Sequence, residues 1–377
     1  MGVTIDCEFE KSIEKKKEKW RNILRIIIDV ILFCSKNNLA LRGTTEKIDD
    51  LNSGICLQLI ELISHYSPIL AQHVQEVKQS NFSTSYFSPS IQNEIIVLLR
   101  QTIRNKIITS IKEAKYYGIM FDCIPDISHK EQMSQIIRYV KIDNTEISTE
   151  ESFIDGIELK NCQAQGYDNG ANMAGVNIMV CKQAKATASF LNIPSQFEEK
   201  RSKIIKRHFD DSPNDEPKLN AEQELKRECN KLFSMKSEVV LKWSKDLAMK
   251  YSEDLNGFDL YSELECFKNQ AYNLMDNFKS ATPIELLKFI HKYSSKDVYP
   301  NIEIALRIFL TIPVTTATCE RSFSKLKIIK NYLRSTMTQD RLTNMGIILI
   351  ERELASKINF EDIIDEFATK KARKVKF

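Results

Sequence analysis

The chain has 377 residues, 42% apolar and 28% charged, a balance that excludes a disordered polymer and leaves room for two or three cored units. A formal net charge of +3 excludes a strongly basic, whole-surface nucleic-acid binder, and the most apolar run, residues 26–33, is broken by Asp29 and too short to cross a bilayer. The nine cysteines are dispersed, with no Cys-x-x-Cys pair and no histidine at zinc spacing, which fits reduced thiols inside a cell rather than a disulfide framework. The charged start carries no signal-peptide pattern.

In chain order, Glu8 to Lys36 predicts one amphipathic helix. Trp20, Ile23, Leu24, Ile27, Val30 and Ile31 recur at spacings of three and four behind a Lys15–Lys16–Lys17 run. That run is a solvated face or a phosphate contact. Gly54–Tyr66 and Ser90–Lys115 predict two more helices, with Ser80–Pro89 as a loop between them. Residues 1–115 therefore form an N-terminal helical region.

Strand-like alternation is confined to the next stretch, residues 116–181. Tyr116 onward is a short apolar run ending in Asp122. Pro125, Asp126 and Ser128 are turn residues, and Gln135–Ile142 is β-branched and aromatic, so the pattern predicts a strand, a turn and a return strand. Residues 145–157 and 162–168 predict a third and a fourth strand. Asp168 then precedes the small residues Gly170, Ala171, Ala174 and Gly175, where it can cap a helix. No Lys-Ser/Thr pair follows, which excludes a nucleotide P-loop. A carboxylate at the tip of a buried strand, such as Asp122, either ends the strand or offers a rigid metal ligand.

Residues 182–299 read as helices interrupted by the acidic, Pro-containing stretch 210–217. Residues 300–377 hold four further helices: Ile302–Ile312, ended by Pro313; Thr315–Lys330, with Glu320 near its first turn; one from Thr338, its expected cap, through Leu354; and Phe360–Phe367. The basic residues 370–374 form a nuclear-import signal, a phosphate contact or a solubilising tail.

These last motifs carry a resemblance. Cys319-Glu-Arg-Ser-Phe-Ser-Lys-Leu326, followed by Ile329-Lys-Asn-Tyr-Leu-Arg-Ser335, resembles the C-terminal dimerisation region of hAT-superfamily transposases. Leu41-Arg-Gly43, Phe121-Asp122-x-x-Pro125-Asp126-x-Ser128, Arg138-Tyr-Val140 and Gly166-Tyr167-Asp168-x-Gly-Ala-Asn-Met173 are similar to the transposase-derived domain of zinc-finger MYM-type proteins. The resemblance implies a mostly helical fold with a small mixed β-sheet, an incomplete ribonuclease-H-like core interrupted by a shortened helical insertion. It also implies that Asp122, Asp168 and Glu320 are the acids that would hold two Mg²⁺ or Mn²⁺ ions for DNA phosphoryl transfer.

Several family features are absent: a helix pattern between Ile154 and Asn161, a Cys-x-x-His segment after Gly175 and the insertion's Arg-Trp pair. The expectation is therefore a transposon-derived protein without catalysis, for which the metal is not required. Its expected partner is a second copy held through Phe323, Leu326, Leu342, Met345 and Leu349, with DNA as a further candidate and neither a membrane nor a small-molecule substrate. An active, metal-dependent DNA transposase is the alternative. A nuclear location is expected from the basic end.

Overall fold

The computed structural model describes residues 5–79, 85–125, 131–143, 146–154, 162–167, 237–275, 278, 281–293, 297–313, 317–330 and 337–370. The chain divides into two compact units. One comprises Met1–Thr109, Pro125–Gln132 and Arg321–Phe377; the other comprises Ser110–Ile124 and Met133–Glu320.

The first unit is helical. Its spine is α1 (Ile5–Lys36), which packs against α2 (Ile55–Ser64), α3 (Pro68–Gln79), α10 (Gln339–Ile350), α11 (Arg352–Ala355) and α12 (Phe360–Thr369). The expected apolar stripe is the buried face: Ile23, Leu24, Ile27 and Ile31 are all sealed. Charges fasten the far end of the chain to this helix. Arg21 meets Glu361 and Asp365, each at 2.7 Å, and Arg25 also pairs with Glu361, so the two guanidiniums hold the Glu361 carboxyl below its usual range. Asn359 caps α12 by accepting from the Glu361 backbone N–H. The helix from Thr338 is shorter than expected: Glu351 leaves helical geometry and separates α10 from α11, and the Thr338 side chain makes no cap hydrogen bond.

Helix α3 escapes the sequence pattern because its buried stripe is Leu70, His73 and Val74, a histidine standing at a core position. The His73 ring packs edge-on to Trp20 at 5.0 Å and to Phe87 at 5.5 Å, and Nε2 lies 3.3 Å from the Ser85 carbonyl. Burial lowers its pKa from 6.5, against opposing pulls from the Ser85 carbonyl and Glu76; Lys19 reinforces the lowering. A histidine whose folded pKa is depressed contributes full stability above the unfolded value and loses it as pH falls below that value toward the folded one. Acidification from pH 7 through 6 should therefore lower the urea midpoint, with Trp20 fluorescence as the local reporter, and His73→Phe should remove that portion of the slope.

The second unit holds the sheet. Strands β1 (Tyr117–Pro125), β2 (Glu131–Ile142), β3 (Ile147–Phe153) and β4 (Cys162–Tyr167) are ordered β3-β2-β1-β4. β2 and β3 pair antiparallel and β1 and β4 pair parallel. The short β1–β2 connection permits only an antiparallel pair, since a parallel one needs a crossover of about a dozen residues or more. The expected small mixed sheet in a mostly helical chain is thus present. Its helices are α5 (Ser237–Lys250), α6 (Gly257–Leu274), α7 (Pro283–Lys292) and α8 (Pro300–Thr311), with the last residues of α4 (Pro89–Ala114) and the first turn of α9 (Ala317–Ile329).

Asn256 caps α6, and Thr282 with Glu285 forms a capping box at α7. Leu287 of α7 packs with Val140 and Ile147 of the sheet, joined by Ile284, Leu306 and Leu310. A second core gathers Leu260, Phe267, Phe289, Ile290, Tyr299 and Ile302. No described helix is long and apolar enough to cross a membrane.

Candidate functional site

Two of the three acids that the sequence singles out, Asp122 and Glu320, bear on Cys319. Asp122 stands on β1, almost fully buried. Glu320 stands in the first turn of α9, exposed to solvent. Cys319 is completely buried, and its thiol pKa is pushed up to about 12. Burial is the largest cause; the charges of Asp122 and Glu151, and more weakly Glu320, add to it, while the buried Ser134 hydroxyl pulls the other way. This thiol is inert at neutral pH.

The third acid, Asp168, lies outside the described residues. The parallel register sets Phe121, which precedes Asp122, against Tyr167, which precedes Asp168. Asp122 and Glu320 offer hard oxygen donors of the kind Mg²⁺ and Mn²⁺ take. Among the described residues, no group of three or more His, Cys, Asp or Glu side chains is arranged to hold a metal ion. The described donors therefore do not complete a metal centre by themselves.

Three contributors to this neighbourhood are not among the expected site residues: Glu151 and Thr318, which no motif marks, and Arg138, which stands in the Arg138-Tyr-Val140 motif. Arg138 and Glu151 face each other in the β2–β3 register, with Nη1 of the guanidinium 2.6 Å from the carboxylate. Arg138 Nε also donates to the Leu310 carbonyl at 2.8 Å, and the Thr318 hydroxyl donates to the other Glu151 oxygen. An opposite-charge cross-strand pair is readable only once the register is known.

The residues expected to form a dimer contact sit elsewhere. Phe323, Leu326, Leu342 and Met345 are buried within the protomer, in the first unit. Gly346 of α10 comes so close to the Leu326 side chain that an added Cβ would lie 2.8 Å from it. Their apolar spacing serves the protomer's own core, and Leu349 alone of the five is half-buried. The apolar side chains left exposed in the second unit include Tyr272, Leu274, Tyr293 and Val298.

Comparison with known families places two matches on the chain. Residues 3–165 match the RNase-like domain of ZMYM1/FAM200, and residues 259–354 match the hAT family C-terminal dimerisation region. No solved structure matches the chain. The first match spans α1 to β4, including Asp122 and Glu151; the second spans α6 to α11, including Cys319 and Glu320.

Proposed function

We propose, from the premise that this chain is a hAT-transposase-derived, ZMYM-like protein, that it acts by self-association and performs no phosphoryl transfer. The observation that carries the reading is the match of residues 259–354 to a dimerisation region whose helices leave Tyr272, Leu274, Tyr293 and Val298 exposed. Two-fold pairing would cover such side chains, each worth about 1.5–3 kcal/mol when fully buried. Against catalysis, Asp122 is sealed beneath the surface beside an inert thiol while Glu320 faces water.

The full chain should sediment as a dimer at micromolar concentration. Leu274→Asp with Val298→Asp should raise the dimer Kd at least tenfold without changing the far-UV spectrum. A monodisperse monomer of the unaltered chain across that range would sink the reading. Residues 300–377 alone are an unsuitable probe, because α10 and α12 cover their apolar faces with α1.

A second reading, metal-dependent DNA transposition, draws support from the Phe121–Tyr167 register and from the shared influence of Asp122 and Glu320 on Cys319. Strand transfer of terminal-repeat DNA, lost in Glu320→Ala, would favour it over the first.

A further inference from the structure

Helix α8 ends at Thr311 and α9 starts at Ala317. One half-buried ion pair receives both of these helix ends. Arg138 donates through Nε to the Leu310 carbonyl, in the last turn of α8, and through Nη1 to Glu151. Glu151 keeps its second oxygen for the Thr318 hydroxyl, in the first turn of α9. The planar guanidinium fork can serve two acceptors at once; a lysine ammonium on its flexible stem lacks that geometry.

We propose that Arg138 and Glu151 form a clamp that fixes the first turn of α9, and with it Glu320, against the sheet that carries Asp122. They are positioning residues: neither is one of the three acids. The clamp rests on the contacts alone, whereas its consequence for the two acids rests on the second reading above. Cys319, adjacent to Thr318, is completely buried, and a clamp at Thr318 would hold it so. Opening the clamp frees the turn and admits reagents to the thiol.

The test is native alkylation of the full chain by N-ethylmaleimide, with each cysteine followed by mass spectrometry. Cys34 and Cys56, buried in the first unit, report unfolding of that unit, and the far-UV spectrum reports unfolding of the second. Thr318→Val is the decisive variant, since it removes one arm and leaves every charge in place. Glu151→Gln alone would be ambiguous, because losing the carboxylate also lowers the thiol pKa.

Thr318→Val, Glu151→Gln and Arg138→Lys should each speed Cys319 modification at least tenfold, with Cys34 and Cys56 unchanged. Protection of Cys319 in Thr318→Val, or a parallel rise of all three cysteines, would overturn the clamp. Mn²⁺ is the second probe. A thermal shift in the unaltered chain that Asp122→Asn abolishes and Thr318→Val weakens supports positioning of the acids. The same shift at undiminished affinity in Thr318→Val overturns that part. No shift in the unaltered chain removes the second reading and leaves the clamp to the alkylation result.

Discussion

Gly118→Ala should unfold the sheet-bearing unit. A Cβ at Gly118 would sit 2.1 Å from the Thr311 carbonyl oxygen and 3.2 Å from its carbon, with the Pro313 ring at 3.3 Å. The first two obstacles are backbone, so no rotamer change relieves them. Glycine in a strand often marks a close backbone approach, and here the end of α8 passes directly over β1. The β1–β4 register shifts at the same point, between Tyr117 and Gly118. Relief would require α8 to lift from β1, stripping Leu306 and Leu310 from Val140, Ile147 and Leu287. Losses of that kind exceed about 4 kcal/mol and consume most of a typical stability of about 5–15 kcal/mol. Urea denaturation followed by circular dichroism reads the effect; a midpoint equal to that of the unaltered chain would contradict the close approach. The same substitution should disturb Asp122, four residues along the strand.

Much of this architecture is legible in local pattern. Strands β1 and β2 show in two apolar runs, and α1 shows in its unbroken three-and-four spacing. What escapes is what depends on distance along the chain. Nothing near Arg21 or Arg25 announces Glu361 and Asp365 as partners. Likewise the apolar positions of α9 and α10 read equally well as a dimer contact or as a core, since helical periodicity marks a buried face without saying what buries it. The structure assigns Phe323, Leu326, Leu342 and Met345 to the protomer's core.

The candidate site shows the same division. Asp122 and Glu320 stand out because an acid closing an apolar run and one in a helix's first turn are local features, although β1 continues past Asp122 to Pro125 and does not end there as the pattern suggests. Glu151 does not, because its importance comes from the residue opposite it in the register and from a hydroxyl on a distant helix. Cys319 lies within the most distinctive motif of the chain, yet its role is to be buried. Only the packing reveals that the thiol is sealed, with one of the two acids buried and the other exposed.

Phe267→Ala should be the most destabilising large-to-small change in the second unit. Phe267 is fully buried on α6 and meets Phe289 of α7 edge-on at 5.8 Å and Tyr299, at the start of α8, edge-on at 5.3 Å. One ring thus joins three helices. Truncation loses its transfer free energy, leaves a cavity and removes both edge-to-face contacts, for a cost of about 3–5 kcal/mol. Tyr299→Phe is the graded control. It keeps the ring and removes only the 2.6 Å hydrogen bond to Gln270, worth about 0.5–1.5 kcal/mol. Both positions lie in the matched dimerisation region, so stability and association must be read together. Phe267→Ala should lower the urea midpoint sharply and weaken the proposed dimer only as the unit unfolds. Leu274→Asp with Val298→Asp should do the reverse, weakening the dimer at a nearly constant midpoint. If Phe267→Ala costs no more than Tyr299→Phe, the ring does not hold the three helices together, and the packing described for this core is wrong.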